Sequence, residues 1–288
     1  MPPAREIQLS VRDYNLDATL SSGQVFAWER YENNWAGVVG GRWVMLQPSS
    51  DSIRAVTAAP QADWSWLTDF LQSDVNLRAV LATFPANDPQ LSSAVVACHG
   101  LRLLRQDPWE CLASFILSST KQIVQIRQIV RTLCERHGTP VATETSRHHP
   151  PAFAFPTAAR IAALSETELR QCKMGFRAKY LLTAAGRVAA GELKLEGIRQ
   201  MSLPAARAEL MKLPGVGEKI ADCVLLFAYG FPTAFPVDVW IARALSQFYF
   251  CGRQQRPEQL RRFAAQHFGP NSGYAQQYLF HHIRTRTG

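Results

Sequence analysis

The residues of this sequence best placed to do chemistry are a lysine at the start of a buried helix and a carboxylate at the start of the next. Lys219 closes the stretch LPGVGEK (213–219) and opens an almost wholly apolar run from Glu218 to Ala228. The positive end of a helix dipole disfavours a cation in the first turn, so Lys219 is a poor choice for stability and needs another reason. Dipole and burial both favour the neutral amine, which is the nucleophilic form. At helical spacing Lys219 shares a face with Asp222, Cys223 and Leu226. Asp238, followed by VWIARAL with Trp240 in its first turn, reads as the N-cap of the next helix. An amine and a carboxylate are thus offered by two neighbouring helix starts.

These two helices must be held by what precedes them. Gly215 and Gly217 predict a turn too tight for side chains, with positive φ or close backbone approach at both. With Val216 between them, they also present backbone amides that suit phosphate, yet the spacing is neither that of a Walker loop nor of a dinucleotide fingerprint. It fits a helix-hairpin-helix, with a first arm at 204–212 and the whole motif at 204–228. The chain before it, from Asp107 on, reads as helical: 109–117, ending at the polar Ser118–Gln122 segment, then 123–137, 157–163, 166–174 and 178–191. A Pro-, Thr- and His-rich loop, 138–156, interrupts them, and its His148 and His149 lack metal-ligand partners at the right spacing. A last helix over 274–283 carries Gln276 and Phe280 on one face.

The first hundred residues read differently. Short alternating runs at 7–11, 24–28, 34–39 and 42–46 predict antiparallel strands, and 63–84 turns helical. The fold class expected is α+β, a small N-terminal antiparallel sheet domain over 1–100 followed by a mainly helical domain over 101–288. Charge divides along the same line, −4 in residues 1–100 and +12 in 101–288, within a chain of +8 and pI about 9.4. The basic half suits a polyanion such as nucleic acid. No apolar stretch is long enough to cross a bilayer, and no signal peptide is expected, which suggests the cytoplasm, or the nucleus of a eukaryote. Six cysteines (Cys98, Cys111, Cys134, Cys172, Cys223, Cys251) form no compact cluster and are expected as free thiols.

The hairpin LPGVGEK, Lys219 and Asp238, in register with one another, resemble the helix-hairpin-helix/Gly-Pro-Asp superfamily of base-excision DNA glycosylases. SSGQVFAW (21–28), GLRLLRQDPWECLASFILSS (100–119) and GYAQQYLF (273–280) resemble its 8-oxoguanine DNA glycosylases. The resemblance runs from about Leu16 to the C-terminus. It implies a bifunctional DNA glycosylase/AP lyase that flips 8-oxoguanine out of duplex DNA, excises it through a lysine Schiff base and nicks by β-elimination. It implies Lys219 as nucleophile and Asp238 as its carboxylate. Base recognition would fall to the Gly23 carbonyl, to Cys223 and Phe280 as a sandwich, and to Gln276 on the Watson–Crick edge. DNA would meet Gly215, Val216, Gly217, Trp240, Thr120, Gln125, Phe176 and Arg177.

The sequence also departs from that pattern. The family's asparagine run is Thr120-Lys121-Gln122 here, Gln125 stands at the position of an opposite-strand arginine, Phe176 replaces a tyrosine wedge, and Arg177 keeps the second arginine. Weaker selectivity for cytosine opposite the lesion is expected. Only Cys251 lies beyond the catalytic stretch, so the four-cysteine iron–sulfur cluster of some relatives is not expected, and the hairpin is a candidate seat for a monovalent cation. No metal site is expected, and a monomer is. An alkylated-base glycosylase would share the sheet and hairpin but lack a lysine at position 219. A non-enzymatic hairpin module would explain the glycines and charge but not Lys219, Cys223 and Asp238 together.

Overall fold

The computed structural model describes residues 3–143 and 150–286; His148 and His149 lie outside the described residues. The N-terminal region contains β1 (Ala4–Ser10), α1 (Leu16–Ser21), β2 (Glu29–Tyr31), β3 (Asn34–Val39), β4 (Arg42–Pro48) and β5 (Ser52–Gln61). Three short helices follow, α2 (Ser65–Leu71), α3 (Leu77–Leu81) and α4 (Pro89–Ala97). The five strands form one antiparallel sheet in the order β1-β5-β4-β3-β2. Its core side holds Leu9, Trp35, Val44, Leu46 and Ile53, closed by α2 through Leu67 and Phe70, with Trp28 stacked on Phe70 at 5.6 Å.

Two expectations fail here. The run 24–28 is not a strand: its alternation comes from Val25, Phe26 and Trp28 being buried in an irregular segment. Gln24 stands in for a strand partner, its side chain bonding Arg102 O at 2.8 Å and accepting from Leu104 N at 2.8 Å. The longest strand, β5, was not anticipated, since SIRAVTAAPQ alternates weakly and seven of its ten residues are alanine or polar.

The helical part comprises α5 (Pro108–Leu117), α6 (Ile123–His137), a small hairpin of β6 (Pro140–Val141) with β7 (Ala152–Phe153), α7 (Ala158–Ala162), α8 (Glu166–Arg170) and α9 (Arg177–Ala189). Then come α10 (Leu203–Met211), α11 (Glu218–Val224), α12 (Val239–Tyr249), α13 (Pro257–His267) and α14 (Ser272–Arg286). Asp107 caps α5 through Glu110 N at 2.9 Å, with Pro108 in the first turn. From Cys111 to Leu117 every residue of α5 is buried, which makes it the axis of the main core. The helix α4 packs on α14. The helix expected over 218–228 stays α-helical only to Val224 and widens to a π-turn over Leu225–Tyr229. There the Phe227 carbonyl accepts from Gln106 N at 2.8 Å, which opens the ladder before Gly230 ends the helix at φ 72°.

Candidate active site

The hairpin turn between α10 and α11 is set by Gly215. Its φ is 82°, and a Cβ there would come within 2.6 Å of the Tyr180 ring. Gly217 behaves otherwise: its φ of −96° is ordinary, and a Cβ would meet nothing within 4 Å. The positive φ or close approach expected at both glycines thus holds for Gly215 alone, and only open space surrounds Gly217. Val216 is buried, and its N–H closes the turn on Leu213 O at 3.1 Å, so that amide is spent inside the hairpin.

Lys219 is the second residue of α11. Its Nζ donates to Ser118 Oγ at 3.3 Å and lies 5.3 Å from the centre of the Phe115 ring. Cys223, one turn on, is 4% exposed; burial pushes its thiol up to about 12, while the neighbouring Lys219 pulls it back. Asp238 caps α12, accepting from Ile241 N at 2.8 Å, as the sequence predicts. Burial raises its carboxyl, and the cap amide and the Lys219 charge oppose that rise. Amine, thiol and carboxylate are therefore electrostatic neighbours at the starts of α11 and α12.

Asp222 does not join them. It is fully buried on the flank of α11 that meets α10, where its Oδ1 accepts from Arg207 Nε at 2.7 Å. Three residues on from Lys219, it is turned far enough round the helix to face the hairpin's other arm. Desolvation carries its carboxyl up to about 6 despite that arginine.

A second group closes the pocket from the N-terminal domain. Gly23 has φ 84°, and a Cβ there would come 2.5 Å from Ile123 Cδ1 and 3.5 Å from Phe280 Cε1. Its turn is pinned by Gln24 and by Gln106 Nε2, which donates to Gln24 O at 2.7 Å. α14 is tied to the same turn, Gln277 Nε2 donating to Ser22 O at 3.2 Å and Arg284 to Ser21 O at 2.7 Å. Gln276 is 4% exposed, and its Oε1 has no hydrogen-bond partner among the described residues. A buried amide oxygen without a donor is costly, and the same holds here for Asp222 Oδ2 and Ser272 Oγ. Phe115 bridges the two groups, packing edge-on against Phe26 at 5.4 Å while its face lies towards Lys219.

A third group lies at the α5–α6 turn. Arg177 is only 3% exposed: Nε donates to Ser119 O at 2.7 Å and a terminal nitrogen to Thr120 Oγ1 at 2.5 Å. Thr120 supports this with a left-handed φ of 55°. The Arg177 guanidinium also lies 4.3 Å from the centre of the Phe176 ring, which is 46% exposed. Gln125 Oε1 accepts from Gln122 N at 3.2 Å, a capping box that commits its carbonyl to starting α6. Trp240 is exposed beside Asp238, with the Arg243 guanidinium 5.9 Å from its ring centre. Ser118 and Phe115 were missed by the sequence reading; the polar residue ending an apolar helix was the one available sign.

The two halves of the chain match two family models: 8-oxoguanine DNA glycosylase, N-terminal domain, over residues 6–112, and HhH-GPD superfamily base excision DNA repair protein over 113–270. The chain belongs to the HhH-GPD superfamily. It is 33% identical to the probable N-glycosylase/DNA lyase of Methanothermobacter thermautotrophicus, over 96% of each chain. Two solved structures are similar throughout. MBOgg1 in complex with a low-affinity DNA ligand has a TM-score of 0.92 and 31% identity, covering 100% of this chain and 98% of that one. The Clostridium acetobutylicum 8-oxoguanine glycosylase/lyase, bound to double-stranded DNA with cytosine opposite 8-oxoG, has a TM-score of 0.88 and 30% identity over the whole of both chains. This HhH-GPD protein is a DNA glycosylase with AP-lyase activity. Its pocket geometry can now be given a mechanism.

Proposed function

We propose that this glycosylase excises 8-oxoguanine from duplex DNA through a covalent bond to Lys219 and then nicks the damaged strand. The observation that carries the reading is the Lys219 amine, bonded to Ser118 Oγ and close enough to Cys223 and the Asp238 carboxylate to shift both electrostatically. A base inside the stack is out of reach, so the lesion must be extruded, and the basic helical half holds the flanking phosphates. The open space around Gly217 supports a close backbone approach to DNA there. The amine lone pair forms a bond to the sugar's C1′, and the base leaves with the electrons of its glycosidic bond and takes up a proton. Asp238 steadies the positive charge that develops on the sugar. The sugar ring opens to an imine on Lys219, and loss of a C2′ proton then expels the 3′ phosphate.

Recognition rests on N7, a donor in 8-oxoguanine and an acceptor in guanine. The Gly23 carbonyl is assigned to it, in a turn where a side chain would strike Ile123 and crowd Phe280. Cys223 and Phe280 sandwich the ring, and Gln276 reads its Watson–Crick edge. Across the duplex, Phe176 wedges beside Arg177, Thr120 steadies that arginine, and Gln125 offers a neutral amide at most. Exposed Trp240, Gly215 and Gly217 are assigned to the DNA backbone, whereas Val216, buried with its amide bonded to Leu213 O, serves the turn from inside. The reading uses no iron–sulfur cluster, and a monovalent cation at the hairpin would serve as a further phosphate contact.

Borohydride trapping tests it. Duplex DNA with one 8-oxoguanine, incubated with protein and reductant, gives a cross-linked species that Lys219→Gln abolishes; equal trapping by that variant would remove Lys219 from the mechanism.

A further inference from the structure

Ser118 sits at the C-cap of α5, 101 residues from Lys219 in sequence, and touches its amine. The hydroxyl has one proton, and that proton is committed: Ser118 Oγ donates to the Phe115 carbonyl at 2.7 Å. What it turns towards Lys219 is therefore a lone pair, at 3.3 Å. An acceptor with a fixed direction treats the amine differently from a group that could donate to it. It takes one N–H and leaves the nitrogen's own lone pair free to point elsewhere.

We propose that Ser118 is a positioning residue for Lys219: its hydroxyl, locked as an acceptor by the Phe115 carbonyl, aims the amine lone pair into the base pocket. The assignment rests on the proposed role of Lys219 and adds a residue to it. A lysine stem has four rotatable carbons, and Lys219 is only partly buried, so packing alone does not fix the nitrogen. Cys223, with its thiol pushed up to about 12, is a neutral neighbour and a weak partner. The Phe115 ring presents a broad π face 5.3 Å from the nitrogen and no single direction. Asp238 spends one oxygen on the α12 cap. Ser118 is 8% exposed and supplies the amine with an oxygen acceptor at 3.3 Å. The same α5–α6 turn holds Arg177 through Ser119 O and Thr120 Oγ1, so the nucleophile and the proposed opposite-strand reader are placed by three consecutive residues.

Ser118→Ala, Ser118→Thr and Ser118→Val separate the oxygen from the volume, because threonine and valine differ only in the hydroxyl. Three quantities are measured: single-turnover excision at saturating enzyme, the rate of borohydride cross-linking to preformed abasic DNA, and the Kd for duplex with a non-cleavable tetrahydrofuran site. The expected result is a loss of about tenfold or more in both rates for Ala and Val, with Kd within about twofold of wild type, and recovery of most of the rate by Thr. Equal rates for Thr and Val, or an Ala variant within about twofold of wild type, would overturn the inference. If the larger side chains unfold the protein, shown by the melting temperature, Ala against wild type still decides. Trapping by Lys219→Gln at the wild-type level sinks the parent reading instead; loss of trapping in Lys219→Gln together with full trapping in Ser118→Ala sinks the serine alone.

Discussion

The two sides of α11 hold buried charge in opposite ways. On one, Asp222 is fully buried, with one oxygen accepting from Arg207 Nε at 2.7 Å and the other without a hydrogen-bond partner among the described residues. On the other, Lys219 and Asp238 are close enough to feel each other without a direct ion pair among the described residues: the amine bonds Ser118 Oγ at 3.3 Å and the carboxylate caps α12 through Ile241 N at 2.8 Å. A closed pair holds the hairpin's arms together, and an open pair keeps capacity for a substrate. The difference teaches that burial of a charged group is not in itself a sign of catalysis; what separates the two sites is a directly bonded counter-ion, which Asp222 has and which Lys219 and Asp238 lack among the described residues.

The sharpest way to break this contrast is Asp238→Asn. Asparagine caps a helix about as well as aspartate, so the melting temperature should change little, while excision should fall on the order of 10²–10³-fold with the lost negative charge. Single-turnover kinetics beside a thermal melt check both, and a variant as fast as wild type would make Asp238 as structural as Asp222.

Arg207→Met tests the closed side. Leaving Asp222 buried without its partner should cost about 3 kcal/mol of stability at pH 7.5, with the intrinsic excision rate of the folded fraction unchanged. The sign with pH follows from a folded carboxyl raised to about 6: the native state holds the proton more tightly than the unfolded chain, so this group's contribution is present at low pH and lost as pH rises through 6. The variant's deficit should therefore shrink when denaturation is repeated at pH 5, where the carboxyl is neutral. A deficit that is constant over this range would mean that the cost is packing and not charge.

The smallest expected effect concerns the opposite strand. Gln125 gives its carbonyl to the α6 cap, and Arg177 enters with its guanidinium already bonded to the α5–α6 turn. Gln125→Arg should sharpen preference for cytosine opposite the lesion by on the order of 1–3 kcal/mol, read as excision rates opposite C, T, G and A. Strict cytosine dependence in wild type, unmoved by the substitution, would point to a reader outside these residues.

Much of this was legible in the chain itself, for identifiable reasons. Lys219 stood out because it offends the helix dipole, Asp238 because it caps, and the hairpin because its glycines announce a turn; these are local signals. The helix 123–137 was read with its exact ends, since its apolar positions recur strictly. What stayed hidden depends on distant partners. Ser118 meets Lys219 across 101 residues, and Asp222 leaves the catalytic face only because α10 presents Arg207. The same holds for 24–28, where the Gln24 side chain bonds the backbone of the approach to α5 and Gln106 bonds back in place of a neighbouring strand, and for the π-turn whose Phe227 carbonyl accepts from Gln106 N.

The turn at Gly23 has a consequence for accuracy. Its direction is held by Gln24, Gln106 and Gln277, whose partners span residues 19 to 277. A carbonyl fixed this way does not search for its orientation when a base arrives; the ordering is completed once, when the chain folds. Under the role proposed for that carbonyl, telling a damaged base from a sound one becomes a property of the folded scaffold and not of each encounter. Heating or loosening the seam between the two halves would then raise mistaken removal of guanine before it slowed the removal of the lesion.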